Sequence, residues 1–183
     1  MKLPRIAQDA VKALEAGIRA AARAPRQASA SAAETRVESA EERALFISVK
    51  PHYASAILDG QKTVELRRTR PNLPAGSLVI LYSSTPTRAV VGWAHLAAVR
   101  EGTPDEIWAE FGSAAGIDEP SYDIYFAGAD QAFALELDDV VAASQPVPLD
   151  VIRSIGIQPP QSWRYVPADV SSRIQASAAP LTR

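Results

Sequence analysis

Cysteine is absent from this 183-residue chain, so disulfides are excluded and a reducing cytoplasm is the expected compartment. Histidine is nearly absent: His52 and His95 are the two imidazoles. A zinc site usually draws on more His and Cys than that, so neither a metal nor another cofactor is expected. Long apolar runs are missing too. No stretch approaches the roughly eighteen apolar residues of a membrane span, and the first residues lack the apolar core of a secretory leader. A phosphate-binding P-loop, a Gly-rich dinucleotide fingerprint and a G-x-S-x-G nucleophile turn are all lacking.

What charge there is lies unevenly. The net charge is −2. Residues 1–43 carry eight basic and six acidic side chains, and residues 44–183 carry eleven and fifteen. Four of those eleven bases, Lys62, Arg67, Arg68 and Arg70, fall within nine residues beside one acid, Glu65. A cationic spot on an acidic domain suits one anionic group. It does not suit non-specific duplex binding, which needs many phosphate contacts.

Four segments follow from the patterning. Residues 1–24 read as an appended helix, with Pro4 in its first turn and Ile6, Ala10, Leu14 and Ile18 on one stripe. This stripe offers a surface for a partner or for self-association. Residues 25–43 are a flexible linker of Ala, Ser and charge. Residues 44–167 form the globular domain, and residues 168–183 have the composition of a disordered tail.

Within the domain, "ALFISVK" is a strand, and Pro51 opens a helix that Gly60 stops. "KTVELRR" is the second strand. "LVILYSS" is a third, apolar enough to be buried on both faces, and "AVVGWAHLAAV" is a fourth, with a bend or bulge at Gly92. Thr103, Pro104 and Glu106 spell a capping box for a helix, and a second short helix starts near Asp118 or Ser121. "QAFALELDDV" is a fifth strand, and "QSWRYV" supplies a possible edge strand. Short helices among five or six strands, without βαβ alternation, predict an α+β fold: a small, mostly antiparallel barrel with helices capping a cleft.

Alternation along the second strand places Glu65 and Arg67 on one face, and Val64 and Leu66 on the core face. Lys62 stands at the mouth where helix meets strand, and Lys50 ends the first strand. The predicted ligand-binding set is Lys50, Lys62, Glu65, Arg67 and Arg68, with Tyr82 and Ser84 at a strand exit and Gln161, Ser162, Trp163 and Tyr165 late in the chain. Aromatic, amide and guanidinium groups together suit a planar polar ligand such as a nucleobase. Asp138 and Asp139, as strand neighbours, are expected to face opposite sides.

"ISVKPHYASAILDGQKTVELRRTRP", "AGSLVILYSSTPTRAVVGWAHL", "YFAGADQAFALEL" and "PPQSWRYV" resemble the ASCH domain, a bacterially represented branch of the PUA-like superfamily. The resemblance covers about residues 45–166 and rests on strand, Lys-Pro, helix, Gly-x-Lys-Thr and Glu-x-Arg-Arg in that order. It implies a PUA-like β-barrel and RNA or a modified nucleoside as partner, in a binding or regulatory role. One branch of the family hydrolyses the amide of an acetylated cytidine with a Lys, a Thr nucleophile and a later Glu. By position the Lys is Lys62, but the nucleophile position holds Glu65, and Glu110 and Glu119 both compete for the third role. Lys62 and Glu65 are therefore catalytic candidates only if the chain is an enzyme, and an amidohydrolase acting on an acylated nucleoside is the alternative to a binding protein. Protein interaction through the N-terminal helix is a third reading.

Overall fold

The computed structural model describes residues 43–178. The expected N-terminal helix, and all of the expected linker but Arg43, lie outside the described residues. Strand β1 (Arg43–Val49) leads into helix α1 (Pro51–Leu58) and the short strand β2 (Val64–Arg67). Strands β3 (Leu78–Ser83) and β4 (Ala89–Gly102) follow, then helix α2 (Pro104–Phe111), a 3-10 turn (Gly112–Ala114) and helix α3 (Glu119–Phe126). The long strand β5 (Ala132–Pro148), helix α4 (Leu149–Ser154), strand β6 (Trp163–Pro167) and helix α5 (Ala168–Ser177) complete the described residues.

The strands form one six-stranded sheet in the order β2-β5-β4-β3-β1-β6. Every pairing is antiparallel except β1 with β3, which run parallel because α1 and β2 carry the chain across between them. The fold is α+β as expected, but the sheet does not close into a barrel: β2 and β6 remain its two edges. The physical reason lies in the sequence after β2. That strand is four residues long, and the loop behind it carries Pro71 and Pro74, which cannot donate to a ladder. Side chains bridge the gap instead. The Trp163 indole N–H donates to the Thr69 hydroxyl at 3.0 Å, the Asn72 backbone N–H donates to the Tyr165 hydroxyl at 2.6 Å, and Arg67 on β2 reaches the Ser48 carbonyl on β1 at 3.0 Å.

Apolar side chains cover both faces of the central strands. Leu45, Ile47, Val79, Leu81, Leu96 and Leu135 fill one side together with Ala54 and Ile57 of α1. Phe46, Ile80, Tyr82 and Val90 fill the other side with Ile152 of α4 and Ile174 of α5. Two-sided burial explains why β1 and β3 read as near-continuous apolar runs. Gly92 sits at a register shift between β4 and β5, where an added Cβ would stand 2.5 Å from the Val141 carbonyl. The sheet bends there only because that position has no side chain. The capping box is present: Thr103 accepts from the Glu106 backbone N–H, and the Glu106 carboxylate accepts from the Thr103 N–H at 2.8 Å.

Two expectations change. The segment read as a disordered tail contains α5, whose Val170, Ile174 and Ala178 repeat every four residues and pack on the second apolar layer. Ile174 is wholly buried. Asp138 and Asp139 do not face opposite ways either. The register shifts between Trp93 and His95, and Asp139 takes a left-handed φ of 44°, so ligand atoms of His95, Asp138 and Asp139 come within 4.8 Å of one another. Asp tolerates that backbone region better than most residues.

Candidate functional site

The second strand builds the floor of a cavity of about 450 Å³. Val64 and Leu66 turn towards α2 and α3, where they meet Ile107, Phe111, Tyr122 and Phe126. Strand alternation then commits Glu65 and Arg67 to the opposite face, under the cavity. Glu65 divides its carboxylate between two cations: Oε2 stands 3.2 Å from Lys62 Nζ, and Oε1 stands 3.0 Å from Arg67. All three side chains are less than a tenth exposed. The trio carries one positive charge in excess.

Lys62 spends its ammonium protons locally. It donates to the Val64 carbonyl at 2.8 Å, to the Ala115 carbonyl and to Glu65. Its Nζ also lies 5.3 Å from the centre of the Tyr53 ring, within cation–π range. Gly116, at φ 59°, lets the connection between α2 and α3 press on this side chain: a Cβ there would stand 3.1 Å from Lys62 Cβ. Lys62 therefore fastens the helical roof to β2 as well as charging the floor. Arg67 donates to the Ser48 carbonyl, while its Nε is buried without a partner.

Four further elements wall the cavity. The end of β1 and the start of α1 bring Ser48, Lys50 and Tyr53; the exit of β3 brings Ser84; Ile117 and the cavity side of α3 bring Ser121, Ile124 and Tyr125. Asp118 caps α3 by accepting from the Ser121 backbone N–H at 2.8 Å and from its hydroxyl at 3.0 Å. Those two bonds, the backbone one first, hold the Asp118 carboxyl below its ordinary range. The Tyr53 phenol is pushed above its ordinary value, first by burial and then by the charges of Asp118 and Glu65. At neutral pH it is a hydroxyl donor rather than a base.

Of the residues singled out from the sequence, Lys50, Lys62, Glu65, Arg67, Ser84 and Gln161 come together around this cavity. The others stand elsewhere. Arg68 is exposed and donates to the Tyr125 and Ala127 carbonyls at the end of α3. The Tyr82 ring is buried against Phe46 on the far side of the sheet. Trp163 and Tyr165 pair with each other, and Tyr165 also lies under the Arg43 guanidinium. Ser162 is exposed, and its carbonyl accepts from the Ser48 N–H at 2.9 Å. The other candidates for a third catalytic residue, Glu110 and Glu119, are exposed and do not line the cavity. Sequence reasoning missed Ser48, Tyr53 and the α3 wall. Tyr53 was within reach, because a Pro-started helix after Lys50 puts its first turn beside that lysine. Nothing local ties α3 to β2.

The ASCH domain profile matches residues 47–141, which span β1 to the middle of β5 and include the whole cavity floor. The chain belongs to the ASCH domain family. It is 37% identical over 131 residues to the ASCH domain-containing ribonuclease of Zymomonas mobilis, covering 70% of this chain and 87% of that protein. The crystal structure of an ASCH protein from Zymomonas mobilis superposes with a TM-score of 0.69 at 32% identity, over 72% of this chain and 93% of that one. A ribosomal protein uL22 of Ureaplasma parvum is 33% identical over 92 residues, which is half of this chain but 29% of that protein. The expected family and the α+β class thus hold for this ASCH protein. No helix among the described residues is long and apolar enough to cross a membrane.

Proposed function

We propose that this ASCH protein binds single-stranded RNA in the cavity above Lys62, Glu65 and Arg67, and cleaves it there. One observation carries the reading: a buried trio with one positive charge in excess forms the floor of a half-open cavity rimmed by hydroxyl and amide groups. An excess buried cation is costly without an anionic counterpart, and a phosphodiester supplies one. Unpaired nucleotides can be splayed into such a cavity, whereas stacked and paired ones cannot. The similarity to a protein named as a ribonuclease extends the reading from binding to cleavage.

In this reading Arg67 and Lys62 act as fixed positive charges that favour the extra negative charge of a phosphoryl transition state, and they need no rearrangement to do so. Glu65 holds both in place. In the cleavage step the neighbouring ribose 2′-hydroxyl attacks phosphorus and loses its proton to water as the P–O5′ bond breaks, while Tyr53 passes a proton to the leaving 5′-oxygen and regains one from water. The amidohydrolase alternative needs Lys62 or Glu65 free to act as a base, and both are engaged: Glu65 by Lys62 and Arg67, and Lys62 by two backbone carbonyls as well.

The test uses end-labelled single-stranded RNA at about 50 and 200 mM salt, where a protein that neutralises phosphates loses affinity as salt rises. The parent should bind, with affinity falling as salt rises, and should release shorter products. Lys50→Glu, a change at an exposed position, should lose both. Absence of binding at either salt would sink the proposal and turn attention to single acylated nucleosides. Binding without products would leave a reader of RNA rather than a nuclease.

A further inference from the structure

Helix α3 is two turns long and uses Tyr122 and Phe126 to grip the core. Ile124 lies about 200° round the helix from Tyr122, and it is 78% exposed. Ile is not chosen for a solvated helix position on propensity, where Glu, Lys or Ala serve better. It is the more exposed of the two large apolar side chains exposed among the described residues, and it lines the cavity. Tyr125 stands beside it, and Tyr53 forms part of the wall lining the same cavity. The polar floor belongs to the same cavity, and Lys50, which is exposed, lines it too. Apolar walls over a charged floor, in about 450 Å³, match the size range of sites for small planar ligands.

We infer that Ile124 and Tyr125 form the wall on which one unpaired nucleobase packs, while Lys50 meets the adjoining phosphate. The inference rests on the RNA reading above and assigns base contact and phosphate contact to separate residues. Ile124 contributes by covering one face of the base, so its contribution needs the base and is indifferent to salt. Lys50 contributes by displacing counterions, so its contribution needs the phosphate and is indifferent to the base.

Two labelled probes separate them: an oligouridine, and an abasic ribose-phosphate oligomer of the same length. Ile124→Ala should weaken oligouridine binding about tenfold, leave abasic binding at the parent value, and leave the salt slope unchanged. Ile124→Phe, which restores a broad apolar face, should bind oligouridine at least as tightly as the parent. Lys50→Ala should weaken both probes alike and lower the salt slope by about one unit or slightly less. Because Ile124 is exposed, its variants should melt with the parent. Parental affinity of Ile124→Ala for oligouridine, or an equal loss on both probes, overturns the base-wall assignment while the RNA reading stands. A parent that binds neither probe overturns both.

Discussion

Glu65→Gln is the most informative single substitution for the floor of the cavity. The change keeps shape and removes one charge, so Lys62 and Arg67, at 3.2 and 3.0 Å from the carboxylate, become neighbours without a counterion. Removing one partner of a buried pair costs about 3–5 kcal/mol. The retained amide oxygen can still accept from one cation, which places the expected loss near the lower end, about 3 kcal/mol. A urea dependence of about 1–3 kcal/mol/M turns that into a midpoint lowered by roughly 1–3 M. Lys62→Met provides the contrast. It strands the Val64 and Ala115 carbonyls, at about 1–3 kcal/mol for each unsatisfied buried group, but it leaves Glu65 and Arg67 as a neutral pair and removes the charge excess. The two losses should therefore be of similar size, one from an unbalanced buried charge and the other from two stranded carbonyls. Added salt should change the Glu65→Gln loss little, because a buried pair is weakly screened. A Glu65→Gln loss below about 1 kcal/mol, the value of an exposed pair, would mean that the three side chains do not behave as a buried charge cluster.

The cap of α3 makes acid stability depend on Asp118. Its carboxyl titrates lower in the folded chain than in the unfolded one, so its contribution is present above the unfolded value and is lost as pH falls through the folded value, below about pH 4. Asp118→Asn should match the parent closely at pH 7, since Asn caps as well as Asp, and should lose less stability across the acid window in denaturation measured at several pH values. In α5, Ile174→Ala should cost about 2–5 kcal/mol in urea unfolding, because Ile174 is wholly buried in the second apolar layer; a neutral result would mean that α5 is not part of the folded core.

Much of this site is local, and the local part was legible. Period-two alternation assigned Glu65 and Arg67 to one face of β2 and Val64 and Leu66 to the other, and the packing follows it. Gly92 marked a bend because only an absent side chain tolerates the Val141 carbonyl so close. Thr103 and Glu106 announced their capping box. The misplaced residues share a different cause. Tyr82, Trp163 and Tyr165 suit the cavity by chemistry, yet a strand presents neighbours to opposite faces, and their side chains lie in the other layer or at the seam between β2 and β6. Which helix roofs the cavity depends on long-range packing of Tyr122 and Phe126, and nothing near Lys62 in sequence encodes it. The open seam has the same origin: four paired residues in β2 and two prolines behind it decide against closure, whereas strand count alone suggests a barrel. In α5 the four-residue stripe was present, but the surrounding Ala and Ser hid it.

The proposed place of RNA is between the Lys62–Glu65–Arg67 floor and the α3 wall. The most direct measurement is a crystal structure of the chain with a bound oligouridine. One base is expected against Ile124 and Tyr125, with its phosphate beside Lys50. An oligouridine ordered elsewhere on the surface, with the cavity unfilled by any nucleotide, would contradict it.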